Sequence, residues 1–430
     1  MGTPTPVPAP AWRPAAAVVR RHGRWRDRAI ETVLVLGIGS SFLMALVNAN
    51  VTMVSPAMTY ALELAVYAAC FMLGLWRLDR ARAALVVGGL GVLVALVLLR
   101  YAASWQFDPK FLRDALIAFA FLVLGAAYGG RVPRLCLWLA LLIAVVAGFE
   151  LAAPEVYGDL VNPKSYFVNA RGASATGFWN EDSNLYVSAT RPQARNFLSS
   201  TTLPRASSIF VEPVTMGNFI IFFAAVVLAF GHRLRPIGRL ASFALVLFLI
   251  VASDGRLAAG TCLLMLLAAP FFARLDQRLA FVVFAAVLLA GAALVRLAGV
   301  DAFDDTMLGR IFFSVQSIEG LSLAQWLGLE PGSAYRYFDS GIAYFIASQS
   351  LPGVIAFALG YSFLLILPGT GGRMFKHLAI FAFALSLLVS NGYFSIKTAA
   401  LWWFVCGWAW HAAPRLAAGD AGTREPEPAP

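Results

Sequence analysis

The feature that most constrains this chain is a series of apolar runs, each about the length needed to cross a bilayer as an α-helix, roughly 20 residues. In hydrocarbon every backbone N–H and C=O must be paired within the segment, so such runs fold as helices or not at all. Twelve are read here, near residues 31–51, 56–76, 83–100, 112–128, 135–152, 209–231, 237–253, 256–273, 279–298, 340–367, 375–391 and 394–411. The expectation is an all-α integral membrane protein of twelve transmembrane helices. The tenth run is long, and Pro352-Gly353 inside it predicts a bend.

Short basic turns alternate with the runs: Arg77, Arg80 and Arg82; Arg131 and Arg134; Arg233, Arg235 and Arg239; Arg274 and Arg278; Arg373 and Lys376. With the arginine-rich stretch before residue 30, they place most Lys and Arg on one side, which the positive-inside rule makes cytoplasmic. Both termini then lie there. The expected division is a basic tail over 1–30, a polytopic membrane domain over 31–411 and a disordered Pro/Glu/Ala-rich tail over 412–430. Because basic flanks orient spans and meet anionic lipid, the net charge of +10 calls for no nucleic acid.

Two long loops, about 153–208 and 299–339, face outward in this orientation. The first mixes aromatics with amides and carboxylates (Tyr166-Phe167, Asn169, Gly177-Phe178-Trp179-Asn180-Glu181-Asp182), a composition that suits sugars and equally an ordinary ordered loop. In the second, apolar residues at 307, 308, 311, 312, 315 and 318 mark an amphipathic helix expected to lie at the interface.

Cys70, Cys136, Cys262 and Cys406 all sit inside apolar runs, where a small packing residue is the expected role. The four histidines, His22, His232, His377 and His411, all flank spans on the cytoplasmic side. An outward zinc site or Ser-His-Asp triad is thereby disfavoured, and neither metal nor cofactor is expected. No Walker loop, dinucleotide-binding glycine pattern or HExxH occurs.

What remains on the outer face is arginines and carboxylates. Arg205 and Glu212 flank the start of the sixth run. Arg256, in Ser253-Asp254-Gly255-Arg256, lies in a turn too short to leave the boundary, so it binds an anion, pairs with Asp254 or snorkels. Arg310 and Arg336 come from the second loop and serve either a phosphate or the solvent. Asp339, in Tyr337-Phe338-Asp339-Ser340-Gly341, is placed as a general base or as the N-cap of the next helix. Glu212 is the second candidate base. Glu63 and Glu150, in or beside spans, are suspects because an intramembrane carboxylate is costly. Arginines hold a pyrophosphate leaving group without a metal.

Three patterns carry a resemblance: Arg205 followed by Glu212-Pro213 and Gly217 at the head of a span; the turn Ser253-Asp-Gly-Arg256; and Asp339-Ser-Gly-Ile-Ala-Tyr344-Phe345 leading to Leu351-Pro352-Gly353. Their order over about residues 200–370 resembles the O-antigen ligase/polymerase superfamily, the Wzy-like enzymes, including xanthan-type exopolysaccharide polymerases. That resemblance implies glycosyl transfer from an undecaprenyl-pyrophosphate-linked oligosaccharide at the periplasmic face of the bacterial inner membrane. It also implies a flippase and a chain-length regulator as pathway partners. In the family the outer-loop arginines hold the pyrophosphate, which carries over to Arg205 and Arg256 and less directly to Arg310 and Arg336. Ligases of the family have a histidine where this chain has Asp339, so the departure favours a polymerase. A flippase or transporter is the alternative from another class.

Overall fold

The computed structural model describes residues 15–192, 195–337 and 339–411, and the side chains from Trp25 onward. The expected C-terminal tail and the first 14 residues of the N-terminal one lie outside these. The basic stretch after them is continuous with the first helix. Among the described residues there are seventeen α-helices and no strand: α1 Ala15–Asn50, α2 Pro56–Gly74, α3 Arg80–Ser104, α4 Pro109–Ala127, α5 Val132–Ala152, α6 Pro154–Val161, α7 Pro163–Arg171, α8 Pro213–Phe230, α9 Pro236–Ser253, α10 Arg256–Phe272, α11 Ala280–Leu297, α12 Met307–Glu319, α13 Leu323–Trp326, α14 Gly341–Gln349, α15 Leu351–Leu359, α16 Gly369–Leu387 and α17 Ile396–His411.

Local sequence sets many of these starts. Proline opens α2, α4, α8 and α9, where its missing N–H costs nothing. Ser55, Asp79, Asp108 and Thr306 cap their helices by accepting from the amides of Met58, Arg82, Lys110 and Gly309.

The chain is a helical membrane protein. Seven helical stretches are long and apolar enough to cross a bilayer: Trp25–Asn50, Pro56–Arg77, Arg80–Ser104, Val132–Ala152, Pro213–Arg233, Pro236–Ser253 and Gln277–Leu297. An eighth qualifies only as a bent pair, α14 with Leu351–Leu364, whose halves meet at 103°. The bend falls at Ser350, two residues before the expected proline. Ser350 sits at φ +68° and ψ 157°, a region strained for a side chain, and its Oγ caps α15 by accepting from Gly353 N at 3.2 Å. Helices α4, α10, α16 and α17 occupy the remaining expected ranges.

α8 forms the axis. Of its spanning window 89% is buried, and it packs against α5, α9, α10, α16 and α17. The closest approach is between α4 and α17. A Cβ on Gly125 would stand 2.0 Å from the Phe404 carbonyl oxygen, and one on Gly407 2.0 Å from that of Leu122. Only glycine permits that spacing. α3 is the opposite case: only 11% of its window is buried, and it leans chiefly on α4.

α12 forms over the expected residues, yet the face it buries differs from the apolar stripe. Gly309, Ile311, Ser314 and Ser317 are buried, whereas Met307 is 36% exposed. The reason is a polar tie: Ser314 Oγ donates to the Leu388 carbonyl at 2.8 Å, and Ile311 packs with Val295, Leu388 and Val389. This seats α12 on α11 and α14, beside the start of α14.

Candidate functional site: an arginine cluster around Asp305

The turn between α9 and α10 builds the first part of the site. Asp254 ends α9 in the left-handed region at φ 51°, a conformation Asp tolerates better than most residues. Its carboxylate points away from Arg256. It accepts from Asn196 N at 2.8 Å, Asn196 Nδ2 at 2.8 Å and Phe197 N at 3.1 Å, which docks the first long loop on the turn. Arg195 is buried over the same helix end and donates to the carbonyls of Pro204, Val251 and Ala252, the classes of acceptor that a helix C-terminus leaves open.

Arg205 is held the same way. Its Nε donates to the Ser253 carbonyl at 3.0 Å, and its terminal nitrogens reach Ser188 O at 3.4 Å and Asp254 O at 3.5 Å. Among the described residues it has no carboxylate partner. Burial, then the neighbouring charge of Arg191, Arg256 and Arg195, brings its guanidinium down to about 10 against the pull of Asp254. It therefore remains a cation at neutral pH, half-buried beside other cations.

With Asp254 engaged elsewhere, Arg256 pairs across to the second long loop. Its terminal nitrogen lies 3.6 Å from Asp305 Oδ2 and 3.4 Å from the Asp305 carbonyl. Arg310, one turn into α12, donates to Asp305 Oδ1 at 2.7 Å and to Asp339 Oδ1 at 3.1 Å. Arg191, from the first long loop, reaches Asp305 Oδ2 at 3.5 Å. One carboxylate thus gathers three guanidiniums from three separate segments.

The electrostatics follow. Burial raises Asp305, but the hydrogen bond and charge of Arg310, with Arg191 and Arg256, outweigh it and hold the carboxyl below its ordinary value. Asp339 goes the other way: burial raises it, Arg310 offsets part of that, and Asp305 adds to the rise. Five guanidiniums (Arg191, Arg195, Arg205, Arg256 and Arg310) stand with the carboxylates of Asp254, Asp305 and Asp339, and of Asp304 beside Asp305, so arginine outnumbers carboxylate. An anion with several oxygens fits this arrangement, because arginine offers paired donors to phosphate.

Two of the six sequence candidates stand elsewhere. Arg336 ends a 3-10 turn, is exposed, and makes no ion pair among the described residues. Glu212 precedes α8, accepts from Thr215 Oγ1 at 2.5 Å and lies 3.8 Å from Lys397 Nζ. It borders a second assembly. There Glu63 pairs with Arg113 at 2.9 Å and Arg171 at 3.4 Å, Arg113 pairs with Asp114 at 2.7 Å, and Tyr344 OH donates to Asp114 at 2.8 Å. Glu150, fully buried, accepts from Ser207 N and Oγ and Ser208 N at 2.8, 2.7 and 2.6 Å, an anchor for the first long loop.

The N-cap of α14 is Ser340, whose Oγ accepts from Ala343 N at 3.4 Å. The Asp339 carboxylate is left to Arg310. Sequence reasoning singled out neither Arg191 nor Asp305 as site residues. Asp305 carried a readable signal, an acid one residue before a Thr cap and five before Arg310. Lys397, inside an apolar run, was open to the same argument as Glu63.

No protein-family model matches this chain, and neither does any curated protein or solved structure.

Proposed function

We propose that this protein is a polysaccharide polymerase with twelve spans and cytoplasmic termini. It transfers a growing chain from undecaprenyl pyrophosphate to the non-reducing end of a lipid-linked repeat unit, at the periplasmic face of the inner membrane. The observation that carries the reading is the convergence of Arg191, Arg256 and Arg310 on Asp305, with Arg205 alongside and positive charge left over.

In this reading the pyrophosphate takes the place of Asp305 among the guanidiniums. The acceptor hydroxyl oxygen bonds to the anomeric carbon. The bond from that carbon to the pyrophosphate oxygen breaks, and its electron pair stays on the pyrophosphate, where the arginines stabilise it. The hydroxyl proton passes to Asp339, whose carboxyl, raised by burial, is a stronger base than an ordinary aspartate. Glu212, at Lys397, is too committed to the other assembly to be preferred.

The test is polymerisation in proteoliposomes from undecaprenyl-pyrophosphate-linked repeat units, with products sized on a gel. A ladder with wild type that disappears with Arg256→Ala is expected. An unchanged ladder with Arg256→Ala would sink the reading. One observation favours a second reading, a flippase: the break at Ser350 makes α14–α15 a discontinuous helix, as transporters use at substrate sites. Movement of the lipid-linked unit across the bilayer, with no ladder, would establish it.

A further inference from the structure

Between α3, α4, α15 and α17 lies a cavity of about 680 Å³. Its wall is apolar, with Leu96 and Val97 from α3, Phe119 from α4, Phe357 from α15, and Trp402 and Trp403 from α17. It is far larger than a packing defect, since protein interiors hold few voids bigger than a water molecule. It is also more than a furrow between lipid-facing helices, because it reaches Tyr393 and Phe383, both 3% exposed, in the middle of the bundle.

The polar residues that line it are Arg100, Asp114 and Gln349. Asp114 is occupied by Arg113 and Tyr344, and Gln349 donates to the Phe111 carbonyl at 2.7 Å. Arg100 is different. It sits in the last turns of α3, its Nε donates to the Gly328 carbonyl at 2.8 Å, and its two terminal nitrogens make no hydrogen bond among the described residues. Gly328, at φ +67°, is wedged between Arg100 and Ser350, so the second outer loop and the elbow fix the guanidinium at this end. A long apolar cavity that ends at a guanidinium with free donors is complementary to a hydrocarbon chain carrying a phosphate.

We propose that this cavity receives the tail of a polyprenyl-phosphate-type carrier lipid, with Arg100 meeting its phosphate. The inference rests on the proposed function in one respect: a polymerase must hold two lipid-linked molecules at once, and the Asp305 cluster accounts for one head. None of the arginines in that cluster comes from α3, α4, α15 or α17, so the cavity is available to the second carrier, that of the acceptor unit. Ordinary phospholipid is the competing occupant. It is disfavoured because a lipid that only pads the protein has no need of a cavity reaching the bundle interior.

The experiment is photocapture without turnover. Full-length protein in phosphatidylethanolamine vesicles is mixed with undecaprenyl phosphate bearing a diazirine in its tail, irradiated, digested and mapped. Label concentrated on α3, α15 and α17 is expected, with Arg100→Gln lowering capture by roughly tenfold, the loss of one charged hydrogen bond. Leu96→Trp, which fills the space, should abolish it. Ala356→Trp does the same from the opposite wall and serves if Leu96→Trp does not fold. Arg336→Ala, outside both charged assemblies, should leave capture unchanged. Label spread evenly over lipid-facing helices such as α9 and α11 would overturn the proposal. So would diazirine-bearing phosphatidylglycerol that labels the same peptides equally and competes for them. Capture at the cavity in protein that makes no ladder from any lipid-linked unit would fell the polymerase reading, and with it the second-carrier role.

Discussion

The two charged assemblies of this protein use the same residue types to opposite ends. Around Asp305 the partners come from loops and helix starts, distances spread from 2.7 to 3.6 Å, and the Asp305 side chain is 56% exposed. Around Glu63 and Asp114 they come from α2, α4, α7 and α14, and Glu63, Arg113 and Asp114 are each no more than 8% exposed. A buried pair fixes helices because breaking it strands a charge. An exposed cluster does little for the fold, but its long contacts and surplus of arginine leave it able to exchange one anion for another. The comparison separates charges that hold the bundle from charges that can serve a ligand.

Arg113→Ala tests the first half most severely. It leaves Glu63 and Asp114 without their main partner, and a loss of about 3–5 kcal/mol in stability is expected, seen as a lower melting temperature in detergent. A melting curve equal to that of wild type would erase the distinction. Arg256→Ala is the counterpart. Its effect on the melting curve should stay within about 1 kcal/mol, as for exposed pairs. The polymerisation rate should fall roughly 10²- to 10³-fold, the usual loss when a donor to a developing anion is removed.

The pH response sharpens the contrast inside the Asp305 cluster. Asp339 is raised, so it takes up a proton first as pH falls, while Asp305, depressed, stays ionised and keeps Arg256 and Arg310 in place. If Asp339 is the base, the rate should fall on the acid side through its raised value, and Asp339→Asn should remove that limb. The stability signs are opposite. Proton uptake by the raised Asp339 favours the folded state at low pH. The contribution of the depressed Asp305 is present above its ordinary value and lost as pH falls through its folded one. The smallest effect belongs to Arg336→Ala. Outside both assemblies, it should change rate and stability by no more than about 0.5 kcal/mol, roughly twofold.

Much of the scaffold was legible. Apolar length announced the helices, and Pro352-Gly353 announced the elbow to within two residues. Which helices are central was not legible, because lipid is as apolar as a protein core. α3 and α8 read alike as apolar runs, yet one is 11% buried and the other 89%. Within the site, Arg256 could be placed at the end of its helix, in a turn between two apolar runs, from the brevity of that turn. Its partner could not, because Asp305 follows 49 residues later and their meeting depends on how α12 packs. The expected alternative, pairing with Asp254, failed because Asp254 accepts the amides of Asn196 and Phe197 instead. Glu212 and Arg205 were grouped by closeness in sequence. The helical start at Pro213 turns one toward Lys397 while the other stays on the end of α9.

The Glu150 anchor has a consequence for how the protein is made. Its partners Ser207 and Ser208 follow it by 57 and 58 residues. At roughly 5–20 residues per second of synthesis, the carboxyl at the end of α5 waits on the order of 3–11 seconds before the groups that will hold it exist. Biogenesis is therefore ordered at this point. α5 is delivered to the membrane first, with an acid it cannot yet satisfy from the protein. The first long loop closes over it later, and α8, which starts five residues after Ser208, then has a fixed point from which to enter the bundle.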